Sequence, residues 1–106
     1  MEIIFHAHHA RVSDRLRTRA ERAVQKTAQR MKRAVDAVVR FEEDGPTRRV
    51  EIVIRAPRRR QLVAEGCARY YGPALAEAVE RLEAQIPRKK LVRTLSRARA
   101  NGTGRA

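Results

Sequence analysis

Residues 35–56 read VDAVVRFEEDGPTRRVEIVIRA, two alternating runs either side of a Gly-Pro dipeptide. In the first, over 35–43, Val35, Ala37, Val39 and Phe41 share one face, and Arg40 and Glu42 share the other. In the second, over 49–56, Val50, Ile52 and Ile54 point one way, and Arg49, Glu51 and Arg55 the other. A period of two is the mark of a half-buried strand. Asp44-Gly45-Pro46-Thr47 between them is turn chemistry, so the pair is a hairpin. Each strand has one apolar and one charged face, so the sheet must cover one side and leave the other to water.

Residues downstream extend the sheet. Pro57-Arg58-Arg59 is a second turn, and 60–65 a fourth strand with Leu62 and Ala64 inward and Gly66 closing it. A helix follows over roughly 69–86, with Pro73 tolerated in its first turn. Ala68, Tyr71, Leu75, Ala78, Val79, Leu82 and Ile86 line its apolar side. Pro87 ends it, and 88–99 carry a short amphipathic pattern through Leu91, Leu95 and Ala98.

Upstream, residues 2–6 alternate as a first strand, with Ile3 and Phe5 on one side. Ser13 or Asp14 then caps a helix reaching to about Lys32. Leu16, Ala20, Ala23, Val24, Thr27 and Met31 make its buried stripe. The order β-α-β-β-β-α implies an α+β fold, a four-stranded sheet with two helices packed on one face. The first crossover contains a helix, so strands one and two should be parallel and the crossover right-handed.

Composition bounds the function. The chain has 106 residues, with 25 Lys and Arg against 12 acids, a net charge of +13. Its apolar side chains include 17 Ala and only 23 Leu, Ile, Val or Phe, so the core is thin and deep catalytic cavities are not expected. No run approaches the roughly 18 apolar residues of a membrane span, and no signal peptide is visible at the N-terminus. Cys67 is the only cysteine, which forbids an internal disulfide and points to a reducing compartment, the cytoplasm.

The positive charge is segregated. Residues 11–33 carry nine cations and two acids, residues 87–106 seven cations and no acid, and residues 34–86 nine of each. Arg outnumbers Lys 21 to 4, and the guanidinium fork suits phosphate oxygens. On a wheel of 100° per residue, Arg15, Arg19, Arg22, Lys26, Arg30 and Arg33 form one ridge beside the apolar stripe of the first helix. Like charges at these spacings repel, so a sequence serving only helix stability would interleave acids. A solvated face is the bland account of a charge run; six cations with no acid among them favour a ridge that tracks phosphates.

The second helix differs. Glu77, Glu80 and Glu83 decorate its outer side, Arg81 is its one internal cation, and Arg88, Lys89 and Lys90 follow its end. Cations there suit the helix dipole, but the run through Arg93, Arg97 and Arg99 exceeds what capping needs. There is no Trp, Phe5 and Phe41 read as core, and Tyr70 reads as packing at the helix start. Scarce stacking platforms favour structured RNA read by shape and backbone over single strands. His6, His8 and His9 do not amount to the three or four convergent ligands of a metal site, and no nucleophile, phosphate-loop or dinucleotide motif is present. No metal, cofactor, small-molecule substrate or enzymatic activity is therefore expected.

The string from Ile3 through Leu16-Arg17, with His8-His9 before Val12-Ser13-Asp14, resembles the start of the ribosome hibernation-promoting factor and ribosome-associated inhibitor family. Ala64-Glu65-Gly66, and Leu82-Glu83 with Gln85-Ile86 followed by Arg88-Lys89-Lys90, resemble its last strand and second helix. The likeness spans roughly residues 2–92, in the same element order, and the length is like that of the short members. It implies a fold like that of double-stranded RNA-binding domains over 1–92, followed by a basic, flexible tail over 93–106. It implies a partner, the small ribosomal subunit and its RNA, bound in the channel where messenger RNA and transfer RNA anticodons sit, by a protein monomeric when free. It implies a role in shutting down idle ribosomes in stress or stationary phase.

By position, Arg81, Arg88, Lys89 and Lys90 match the family's basic residues of the second helix and its end, and Lys26 and Arg33 those of the first. Arg22 and Arg30 come from the wheel. The sequence departs from the family at Pro57-Arg58-Arg59-Arg60, where a Gly-Gly-like turn is usual, and in the opening of the second helix, Arg69-Tyr70-Tyr71-Gly72-Pro73. A general structured-RNA binder without ribosome preference, and a protein-interaction module using Arg40, Glu42, Glu51 and Arg55 of the open sheet face, are the rival readings.

Overall fold

A computed structural model describes residues 1–8, 11–31, 34–57 and 60–86. The elements are β1 (Glu2–His8), α1 (Asp14–Ala28), β2 (Asp36–Asp44), β3 (Thr47–Ala56), β4 (Arg60–Ala68) and α2 (Tyr71–Ala84). The sheet order is β1-β2-β3-β4, with β1 parallel to β2 and the other neighbours antiparallel. This is the α+β arrangement the alternation implies.

The β2–β3 hairpin closes through a two-residue loop, Asp44 facing Thr47. Gly45 takes φ 61°, the left-handed region that the first central residue of such a tight turn requires, and Pro46 follows. Register is fixed by both faces. Inward, Ala37, Val39 and Phe41 of β2 and Val50, Ile52 and Ile54 of β3 are buried. Outward, Asp36 faces Arg55, Arg40 faces Glu51 and Glu42 faces Arg49, so each cation meets a carboxylate directly across the strands. A slip by one residue would reverse every side chain.

The helices cover the inner face with a second apolar layer. Ala20, Val24 and Ala28 of α1 and Ala74, Leu75, Ala78 and Leu82 of α2 join the core. Phe41 is its aromatic centre, stacked with Phe5 at 6.4 Å and meeting Tyr71 edge-on at 5.6 Å. Burial pushes the Tyr71 phenol up from its usual pKa. Much of the helical contribution is alanine, so backbones approach closely. Gly66 lies in this contact: a Cβ there would sit 2.1 Å from the carbonyl oxygen of Ala74 and 2.6 Å from the amide of Ala78.

Several boundaries differ from the sequence expectation. α1 ends at Ala28, not near Lys32; Arg30 and Met31 bond back to Thr27 and Ala28, tightening the last turn to an i→i+3 pattern. Val35 precedes β2 and is 55% exposed rather than inward, although its N–H donates to the Arg55 carbonyl. β4 does not close at Gly66 but runs on to Ala68, because the missing side chain admits α2 instead of breaking the strand. α2 starts at Tyr71; Tyr70 is its N-cap and is 70% exposed, so it packs on nothing substantial. The Arg58-Arg59 turn and the amphipathic pattern of 88–99 lie outside the described residues.

Thr27 is the buried polar residue of this core at 1% exposure, and among the described residues its Oγ1 has no hydrogen-bond partner. A buried hydroxyl without a partner costs about 1–3 kcal/mol. Thr27→Val keeps the shape and removes the hydroxyl. It should raise the thermal midpoint by several degrees, about 1 kcal/mol, in a melt followed by circular dichroism.

Candidate nucleic-acid interface

α1 begins with Ser13, whose Oγ accepts the Leu16 N–H at 3.1 Å, and Asp14 in the first turn suits the helix dipole. That start sets the rotation of the helix. The buried stripe faces the sheet, and Arg15, Arg19, Arg22, Lys26 and Arg30 stand exposed along one flank. Arg17 stands on the opposite flank, its guanidinium 5.5 Å from the Phe5 ring centroid.

The ridge borders α2. Arg19 reaches the start of that helix, where its guanidinium would lie 3.3 Å from a Cβ at Gly72. Arg30 pairs with Glu83 at 3.6 Å. The ridge is therefore less purely cationic than its sequence spacing suggests, since an acid from the other helix meets it. Among the described residues, Arg15, Arg19, Arg22 and Lys26 form no salt bridge. Four exposed, unpaired cations on successive turns make a strip of positive potential about 16 Å long at 1.5 Å per residue.

Arg81 sits elsewhere, on the flank of α2 that follows β4. Its Nη1 donates to the Glu65 carbonyl at 3.0 Å and lies 3.6 Å from Glu77. Glu77 in turn accepts the Cys67 N–H at 3.0 Å, and Gln85 donates to the Val63 carbonyl at 2.6 Å. Residues 77, 81 and 85, one turn apart, thus satisfy the outward backbone groups of residues 67, 65 and 63 along β4. Arg81 does structural work as well as carrying charge, and it is not brought together with the α1 ridge. Its side chain is 61% exposed, so donors remain for solvent or a ligand. Arg33, Arg88, Lys89 and Lys90 lie outside the described residues.

Tyr70 is the exposed aromatic side chain of the described residues. No group of three or more His, Cys, Asp or Glu side chains able to hold a metal occurs among them, and no helix among them is long and apolar enough to cross a membrane. The open face of the sheet is ionic and partly neutralised. Arg49 pairs with Glu42 and Asp44, each at 3.3 Å, and Arg40 with Glu51 at 3.8 Å. Asp36 accepts from Arg55 Nε at 2.7 Å, and that hydrogen bond holds its carboxyl below the usual carboxylate range. Among the described residues the exposed α1 flank thus carries unpaired positive charge, while the open sheet face carries charge that is largely paired.

Comparison with known proteins bears on the fold and the family. No individually curated protein sequence matches the chain significantly. Two solved structures share the fold. One, a ribosomal subunit interface protein from Coxiella burnetii, superposes with a TM-score of 0.75 at 15% identity, over 86% of this chain and 99% of that one. The other, the Protein Y N-terminal domain from Thermus thermophilus, gives 0.68 at 23% identity, over 82% and 93%. The family model described as sigma 54 modulation protein / S30EA ribosomal protein matches residues 3–93. With that match over most of its length, and with the sheet and helices in the order its residues call for, this chain belongs to the S30EA ribosomal protein family, that of the ribosome hibernation-promoting factors.

Proposed function

We propose that this protein binds the small ribosomal subunit through its RNA, lies in the decoding channel and excludes messenger and transfer RNA there, silencing ribosomes in idle or stressed cells. The observation that carries the reading is the strip of four unpaired cations on α1, in a family of ribosome-associated factors. Arg22, Lys26 and Arg30 make the phosphate contacts on α1, Arg30 after exchanging Glu83 for phosphate, and Arg33 extends them. Arg81, Arg88, Lys89 and Lys90 supply the second cluster. The action is steric and needs no catalysis.

Cosedimentation with isolated small subunits tests it. If about six phosphates are neutralised, log K should fall with log salt at a slope near −5. Absence of binding at low salt ends the proposal. A second reading, a general binder of structured RNA, is favoured by one feature: a track of cations spaced for phosphates fits any A-form duplex. Excess duplex RNA discriminates. Retention on the subunit in its presence supports the first reading, and ready displacement supports the second.

A further inference from the structure

The face of the sheet turned away from the helices plays no part in the RNA contact proposed above. Cross-strand register arranges it in rows. Ile4, Val38, Val53 and Val63 lie opposite one another in sequence across all four strands, one unbroken apolar row. Ile4 is 39% and Val63 42% exposed, so the row is open to water at both ends. On one side of it lie Glu2, Asp36, Arg55 and Gln61, and on the other His6, Arg40, Glu51 and Glu65. Beyond these come Glu42, Arg49 and Cys67. Beside the row, Arg40, Glu42, Arg49, Glu51 and Glu65 line a hollow of about 50 Å³, room for the tip of a long side chain.

The charge of this face is opposite in sign to that of the molecule. Among the described residues the rows hold five carboxylates, Glu2, Asp36, Glu42, Glu51 and Glu65, against three guanidiniums; Arg40 pairs with Glu51, Arg49 with Glu42 and Glu65, and Arg55 with Asp36, so the carboxylates outnumber the cations they share by two. The chain as a whole is +13. A layer of secondary structure is about 10 Å thick, more than the Debye length of about 8 Å at physiological salt, so the two faces present their own fields. A net-negative face repels phosphate. It also repels a second copy of itself, whose matching face has the same sign.

We propose that the open sheet face is a docking surface for a Lys/Arg-rich polypeptide extension of a ribosomal protein, its apolar side chains on the Ile4–Val38–Val53–Val63 row and its cations against Glu51, Glu65 and the hollow. The inference rests on the ribosome-binding reading. With the helix side given to RNA in that reading, the opposite, acidic side is left for a partner of positive charge that is not RNA. Charge complementarity selects the occupant, and the apolar row gives it a register.

Two measurements on the full chain test this. Glu51→Lys with Glu65→Lys adds four units of positive charge; contact with RNA alone would then tighten binding to the small subunit. The proposal expects the opposite sign, affinity lower by about tenfold, with the melting curve used to confirm folding. Cys67 is the only cysteine, is exposed and sits on this face, so it takes a photo-crosslinker without further substitution. On the subunit, the adduct should map to a basic segment of a ribosomal protein. An adduct to RNA, to residues 87–106, to a second copy, or none at all although the protein cosediments, overturns this inference alone. Failure of the unmodified protein to cosediment overturns the ribosome-binding reading and this inference together.

Discussion

Replacing Arg15, Arg19, Arg22 and Lys26 together by Gln should abolish binding to small subunits at physiological salt and leave the fold at least as stable as before. The two effects have opposite signs for one reason. These side chains stand on one flank of α1 at i, i+3 and i+4 spacings, and they form no salt bridge among the described residues. Each like-charged pair costs a few tenths of a kcal/mol in the free protein, so removing them relieves the helix. Each cation that meets a phosphate contributes about 0.9 to the salt slope in a duplex-like site, so losing Arg22 and Lys26, the two of the four assigned to phosphates, should flatten that slope by roughly 2, while losing Arg15 and Arg19 weakens the surrounding positive field. Salt titration of cosedimentation and a thermal melt read the two effects separately. Unchanged binding would show that the ridge is only a solvated helix face. A lower melting point with unchanged binding would show it to be structural.

Gly66→Val should be the most damaging single substitution in the sheet. The obstacle is backbone: the carbonyl oxygen of Ala74 and the amide of Ala78, both inside α2. Neither can rotate aside, so α2 must lift from β4, and with it Leu75 and Leu82 leave the core. Overpacking of this kind costs about 1–3 kcal/mol and occasionally more, and displacement of a whole helix places it at the upper end. Against a total of about 5–15 kcal/mol, the thermal midpoint should fall by well over 10 °C, or the protein should fail to accumulate in soluble form. Gly45→Ala is the contrast. Nothing lies within 4 Å of a Cβ there, and only the left-handed φ is disfavoured, at about 1–2 kcal/mol. A Gly66→Val protein as stable as Gly45→Ala would refute the close-packing account.

These two cases mark what could be read from residues in order and what could not. The β2–β3 hairpin was legible because its information is local: alternation in both strands and a Gly-Pro turn between them. The ridge on α1 was legible for the same reason, since a helix brings residues three and four apart together whatever surrounds it. Gly66 was misread as a strand terminator because a glycine's effect on its own strand is local, whereas what it does here is admit another element. Glu83 could not be matched to Arg30, 53 positions earlier, without the angle at which the helices cross. Arg81 was readable as a cation but not as a donor to the Glu65 carbonyl. The spacing of Glu77, Arg81 and Gln85 was in plain view, yet their partners are main-chain groups, which no residue type announces. Tyr70 was misplaced because an aromatic beside a helix start is apolar by composition and exposed by geometry.

The side-chain ladder from α2 onto β4 has a consequence for the protein in bulk. A sheet offers two margins to which another chain's strand can add, and uncontrolled addition gives fibres. Here Glu77, Arg81 and Gln85 occupy the β4 margin, while among the described residues nothing pairs with the outer side of β1. Two molecules meeting through β1 would each present a blocked margin at the far end, and no third could join. Strand addition through β1 would therefore stop at a pair, because the far margin of each molecule is already occupied by its own second helix.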